Sequence, residues 1–515
     1  MGLTFRNVKG SPLTFNEMDA NIAYFTGSYT TSGSISISPG NNIIIQSGSV
    51  IITGSISLSG SNTLTNAGPT VFEGTLTQGD LLSAIGTKAH AEGWQNTASG
   101  EYAHAEGYFN KALGNYSHAE GATNVAYGIA SHAEGYNNKV TGSYSNGSGR
   151  DNLVKATYSN VSGRSNDIDG GYHLATGLDN YISGSLLYCF VAGRGNKIYS
   201  DYSFAFGTGS VIKGYSQPNG ARFSLVNGYY NNCFSYYGHA EGYLTSASYG
   251  AHSEGRGTKA LTRFSHAEGI GTKVGDFAEG TASVALITNA YYGHAEGYNS
   301  MTVGRAAHAE GYFNTASGWY SHAEGVLNET GVWGSGSIDG FGSHAEGYGT
   351  QTYGHYSHTE GYFTKTYGSS SHAEGAVTIT RGDYSHAEGR NTLASASYSH
   401  TEGRLTTASA NYSHAEGYGT IAAGVYQHVS GEYNVTSSTQ GAFIIGNGSS
   451  AGSRSNLLNA HDSIIEVTGS VHISSVVSMA SAGTLPTVVN GGLAVSSSGD
   501  LYFGSGSAWN KVSLA

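Results

Sequence analysis

Charge, proline and cysteine are all scarce in this sequence. Of its 515 residues, 11% are Asp, Glu, Lys or Arg and five are proline. A typical domain is about a quarter charged. Low charge alone would allow disorder, but 38% of the chain is hydrophobic and 38 residues are tyrosine, which argues against a solvated coil. Cys189 and Cys233 are the sole cysteines, too few for a disulfide framework. No apolar run approaches ~18 residues, so no membrane-spanning helix is expected. Met1–Pro12 holds no apolar stretch of the kind a secretory leader needs, and none is expected. Glycine, by contrast, is abundant at 78 residues; without a Gly-X-Y period or many prolines this is not collagen.

What the chain has instead is a repeat. Ser-His-Ala-Glu-Gly and close variants recur, most of them 14 residues apart, with sixteen copies of His-x-Glu-Gly from His90 to His414. His428 keeps the spacing with Val429 and Ser430 in place of Ala and Glu. The phase survives where the word is lost: Asn146, Asn160, Leu174, Phe190, Phe204 and Leu225 occupy the His position, and Phe277 does so in Phe-Ala-Glu-Gly. Residues 85–446 therefore read as one array rather than several domains.

Fourteen residues are too few for a helical hairpin. They suit two short strands and two turns, one coil of a parallel β-solenoid. Glycines recurring at the second corner, Gly100, Gly114, Gly128 and Gly142, are expected to supply positive φ there. At the parallel-strand spacing, about 24 coils would make a rod on the order of 115 Å long. Alternation along a strand puts His and Glu on one face and Ala on the other. The Ala position accepts only small or modest groups, including Gly147, Ser253, Thr359 and Val161, so it is expected to line the narrow interior. The His position accepts phenylalanine and leucine, so that face is expected to pack partly against another chain.

The word keeps the Ser, Ala and final Gly of Ser-Val-Ala-Ile-Gly, and so resembles the head repeat of YadA-like trimeric adhesins. Its Ser-His-Ala-Glu-Gly form is similar to arrays of phage fibre proteins. The resemblance covers about 70% of the chain. It implies a homotrimeric, left-handed parallel β-roll, with a polar seam where the family has an apolar one. The seam ladder would comprise His90, Glu92, His104, Glu106, His118, Glu120, His132 and Glu134, then His308, Glu310, His372, Glu374, His386, Glu388, His414 and Glu416.

Neither end belongs to the repeat. Residues 1–25 are expected to be an attachment segment with a short helix over 13–25. Thr14 and Glu17 would form its capping box, and Phe15, Met18, Ile22 and Phe25 one apolar stripe. Residues 13–21 resemble the opening of phage fibre proteins. Residues 26–84 alternate Ser/Thr/Gly with Ile/Val and predict a β-rich stalk. Residues 447–515 predict a β tip similar to the C-terminal tips of phage fibres.

Repeated His and Glu invite thoughts of metal or acid–base catalysis. An enzyme gathers one constellation in one cleft, whereas this pair recurs along the chain, so a structural ladder is expected, with no catalytic residue, cofactor or metal. Seventeen like-charged Glu at strand spacing would repel by about 1 kcal/mol per neighbouring pair even in water. They are expected to pair with His whose pKa the carboxylates raise. Repeat glutamates supply 17 of the 35 acidic residues and so most of the net charge of −12, which disfavours nucleic acid as a partner. Two tyrosine rows accompany the word, one two residues before His and one after Gly; both are expected to stack. Insertions at Gly214–Arg222, Thr281–Tyr291 and Leu327–Gly342 predict surface loops. Pro218 and Trp333 in the loops, with Tyr502 and Trp509 in the tip, are candidate receptor contacts.

These readings converge on a non-enzymatic phage fibre on the virion surface. Its N-terminus would join other virion proteins and it would contact a host surface glycan or protein, with no membrane insertion. The alternative is a bacterial trimeric surface adhesin or extracellular filament at the cell surface. A polysaccharide-cleaving enzyme would need a singled-out carboxylate pair, which the repeat glutamates do not provide.

Overall fold

The computed structural model describes backbone strands between 22 and 80. It describes residues 82–184, 186–213, 222–275, 290–331, 339–471, 493–495, 500–505 and 507–512 with their side chains. Among the described residues every regular element is a strand. The chain divides into two compact units, 1–403 and 404–515.

In the first unit, each 14-residue coil contributes a long strand carrying the repeat word, such as His90–Trp94, and a two-residue strand, such as Thr97–Ala98. Both stack in parallel on the same strands of the next coil. His pairs with His, Ala with Ala, Glu with Glu and Gly with Gly. The register runs unbroken through Asn146, Asn160, Leu174, Phe190, Phe204 and Leu225. It also crosses the insertions, with His266 on His294 and His322 on His344. Phe277, expected at the His position, lies outside the described residues, and His266 pairs directly with His294.

The Ala side is the interior. Ala91, Ala98, Ala105 and Ala112 are fully buried, and the two strands of a coil face each other across little more than two methyl groups. Larger residues are accommodated by pairing them with small ones: Gly147 lies between Val140 and Val154, where a Cβ would approach Val140 Cγ2 to 2.6 Å. An Ala methyl contributes about 0.8 kcal/mol on burial, so a coil gains little from its own core and persists as part of a stack.

The two glycine series do different things. The word glycine has positive φ (Gly107, +100°), and a Cβ there would lie 2.2 Å from the Gly121 carbonyl oxygen. The second-corner glycines do not have the positive φ expected of them. Gly100 is needed because a Cβ would meet the Gly114 oxygen at 1.9 Å. At that corner the left-handed residue is Tyr102 (φ 56°), followed by Tyr116, Ala130 and Tyr144 at equivalent places.

Residues 22–80 form wider parallel coils with three strands each. Ile22–Thr26 pairs with Asn42–Ser47, Tyr29–Ser32 with Val50–Thr53, and Ile35–Ile37 with Ile56–Leu58. The third series continues through Leu76–Asp80 directly onto His90–Trp94. The expected helix over 13–25 is corrected at its C-terminal end: Ile22 and Phe25 lie on a strand, where β-branched and aromatic residues have an extended partner to pair with. Phe15 and Met18 lie outside the described residues.

In the second unit the coils continue to His428–Glu432, which carries Phe443–Asn447 in parallel. Pairing then reverses: Asn456–His461 and Ile464–Val467 add antiparallel strands. Leu493–Val495, Leu501–Ser505 and Ala508–Lys511 form a separate antiparallel meander.

Candidate functional site: a histidine–glutamate face flanked by aromatic rows

Register fixes the side chains of the His/Glu face. Imidazoles stack ring on ring at 4.7 Å from His90 to His104 and from His104 to His118, within 7° of parallel. The same column runs from His239 to His400 in the first unit, where its His308–His322 and His372–His386 pairs stack within 3° of parallel. In the second unit His414 stacks on His428. The His side chains are about one-third exposed (33% at His90, 34% at His308), as are their glutamates (42% at Glu92, 32% at Glu310).

Glutamate contacts the imidazole Nε2 either within its coil or from the preceding one. Separations are 3.5 Å for His90–Glu92, 3.7 Å for His104–Glu106, 3.8 Å for His118–Glu120 and 3.6 Å for His132–Glu120. His308–Glu310 is 3.8 Å, His386–Glu374 3.6 Å, His400–Glu388 3.9 Å and His428–Glu416 3.5 Å. These are ion-pair distances, longer than hydrogen bonds; at His344 the contact with Glu324 tightens to a 3.1 Å hydrogen bond.

The expected rise in histidine pKa is corrected. Burial, and then the neighbouring imidazoles, hold His90, His118 and His372 below the ordinary value, and the carboxylates only partly offset this. Glutamates relieve their own repulsion by hydrogen bonding to each other. Glu310, Glu346 and Glu374 are each pushed up to about 7 by a shared hydrogen bond with a neighbouring Glu. Their partners Glu324 and Glu360 are held below the ordinary value by the same hydrogen bonds, so these carboxylates titrate as coupled neighbours.

His118, Glu120 and His132, like His308, Glu310 and His322, place ligand-type atoms within 4.8 Å of one another. The rings are parallel, however, so their Nε2 lone pairs run side by side rather than converge on one point.

Between Asn146 and Tyr229 the face changes character. Leu174 (43% exposed), Phe190, Phe204 (44%) and Leu225 replace His, and Phe190 packs edge-on to Phe206 at 5.0 Å. Leu174, Phe190 and Phe204, with His132 and the adjoining tyrosines, line an open groove of about 790 Å³.

Aromatic rows border the face. Tyr144, Tyr158, Tyr172, Tyr188, Tyr202, Phe223 and Tyr237 form one stacked column with steps of 4.9–5.5 Å. Trp94 and Tyr108 begin the other at 4.8 Å.

A buried asparagine ladder, visible in the sequence as a 14-residue recurrence, holds the inner corner. Asn124 Nδ2 donates to the Glu120 and Gly135 carbonyls at 2.6 and 2.7 Å, and its Oδ1 accepts the Asn138 N–H at 2.8 Å. The word serine also has a structural job, as Ser117 Oγ donates to the Gly114 carbonyl at 2.6 Å. Of the candidate receptor contacts, Pro218 and Trp333 lie outside the described residues. Tyr502 and Trp509 are half-buried on adjacent strands of the C-terminal meander, whose register puts both on one face.

No protein-family model matches the chain, and no curated protein matches it.

Proposed function

We propose that this chain is a non-enzymatic structural fibre of a phage particle, a homotrimer whose coils form a shaft and whose surface contacts the host. The observation that carries this reading is the repetition itself. The same His, Glu and Tyr side chains recur coil after coil in one register, which suits reach and multivalent adhesion rather than a single reaction centre. Trimerisation through the His/Glu face is supported by the exposed Leu174 and Phe204 between its two His-bearing stretches.

Light scattering on the purified chain tests the assembly: three copies of 53.4 kDa should give ~160 kDa. Antibody labelling of virions in negative stain tests the location. A monomer in solution would overturn the trimer, and absence of label from virions would overturn the fibre.

A further inference from the structure

Along the His-bearing coils the outer face carries no mark of position. His sits on His and Glu on Glu from coil to coil. A second copy laid on this face and displaced by one coil, about 4.8 Å, would meet the same side chains as an undisplaced one. A repetitive polar face of this kind specifies register weakly.

The His row nevertheless turns apolar at fixed places. In the first unit, register continues it from His90 back through Leu76, Ile56 and Ile35. In the other direction six polar coils, those of His90, His104, His118, His132, Asn146 and Asn160, lead to Leu174, Phe190, Phe204 and Leu225. Eleven His coils follow, from His239 to His400. In the second unit, taken by itself, the His row passes from His428 to Phe443 and, across two antiparallel pairings, to Ala460 and Ile465. The Glu row passes in the same way from Ser430 to Ile445, Leu458 and Val467. Residues directly opposite one another share a face, so both rows are apolar there. That face is open, with Phe443 and Val467 each 41% exposed and Ile465 71%.

We propose that these apolar blocks are register keys read by a second copy of this chain. Copies related by a rotation axis lie level with one another, and level, parallel copies bring block against block. A slip of one coil sets Leu174 against Asn160 and Leu225 against His239, removing polar groups from water without a partner. The occupant is another copy because the blocks interrupt the same rows that carry the polar coils. A partner of different sequence would have to match polar and apolar coils at the same intervals. Direction is keyed as well. Leu76 lies eight coils before Phe190 and His344 eight coils after Phe204, so a reversed copy centred on the middle block puts the row position of Leu76 opposite His344. The inference rests on trimerisation through the His/Glu face and adds to it what aligns the copies.

The test co-expresses two differently tagged full-length chains and weighs the assemblies recovered through one tag. Leu174→His, Phe190→His, Phe204→His and Leu225→His erase the middle block. Adding His308→Leu, His322→Phe, His344→Phe and His358→Leu moves it. The moved-block chain should assemble with itself, but mixed trimers with the parent should fall about tenfold or more below the statistical share. The erased chain should mix with both alike. Asn160→Leu with Leu225→His shifts the block by one coil with two changes, and should deplete mixed trimers about threefold; it decides the matter if eight changes do not fold. Phe204→Cys, read against the buried native Cys189 and Cys233, should be shielded from maleimide in the trimer. Statistical mixing of every variant with a trimeric parent would overturn the keys and leave the trimer standing. A freely reactive Phe204→Cys in that trimer would give the block to another partner and overturn them too. A monomeric parent would overturn the trimer itself.

Discussion

Coils with and without the His/Glu word fold alike, and that comparison separates what builds the coil from what decorates it. At His90–Tyr136 the outer face is a stacked imidazole column over an alanine interior; from Asn146 to Tyr229 it is Asn, Leu and Phe over Val154, Ile168, Ile182, Ile198 and Ile212. Both regions keep the same register, the positive-φ word glycine and a polar residue at the inner corner, Asn110 in one and Asn166 in the other. The coil is therefore specified by glycine, the inner corner and small interior residues. Histidine and glutamate are not needed to close it, so their repetition answers to something outside the coil.

The largest expected effect breaks both regions equally. Gly107→Ala or Gly163→Ala places a Cβ about 2 Å from a carbonyl oxygen, at positive φ. Each should destabilise its neighbourhood by ~3 kcal/mol or more, read as loss of hydrogen-exchange protection in the flanking coils. Equal protection in mutant and parent would refute the close-approach argument.

Next comes the inner corner. Asn124→Ala strands two carbonyls and one N–H in the interior, at a cost of about 2–4 kcal/mol. Asn124→Thr should cost less, since Thr350 and Thr364 already hold equivalent positions. Denaturant titration ranks the two; a Thr variant as damaged as the Ala variant would contradict this account.

A smaller effect should distinguish the regions. Phe190→Asn and Phe204→Asn copy what Asn160 does two and three coils earlier. Folding should survive, while the assembly loses about 1–3 kcal/mol per side chain if the face is a seam. Sedimentation across a dilution series would show earlier dissociation. An unchanged profile would remove the apolar face from the interface.

The smallest effect is pH dependence, and its sign differs between groups. Histidines held below the usual value, such as His90 and His322, bind fewer protons folded than unfolded, so acidification through about 6.5 destabilises. Glu310, Glu346 and Glu374, raised to about 7, add stability that is present at low pH and lost as pH rises through 7. Protection in the coils from His294 to His400 should therefore peak near about pH 6–7, while the coils from Asn160 to Leu225, where burial holds His173 below its ordinary value, should only fall on acidification. A flat profile in both would show that the ladder does not titrate as a unit.

The period, the interior Ala position and the phase through Asn146–Leu225 were all legible in the sequence by itself. Each is a one-dimensional regularity, and parallel in-register stacking maps such regularity onto space without further information. What only the tertiary structure decided depends on distances between coils. Gly100 looked like a turn residue, yet its reason is a neighbouring carbonyl. The strand at Ile22–Thr26 took the place of the last residues of an expected helix because an extended partner lay 20 residues on. The imidazoles looked like partners for carboxylates, but stacking half-buries them beside one another and lowers their proton affinity. Pairwise residue chemistry gives the possible contacts; the coil spacing selects which ones are made.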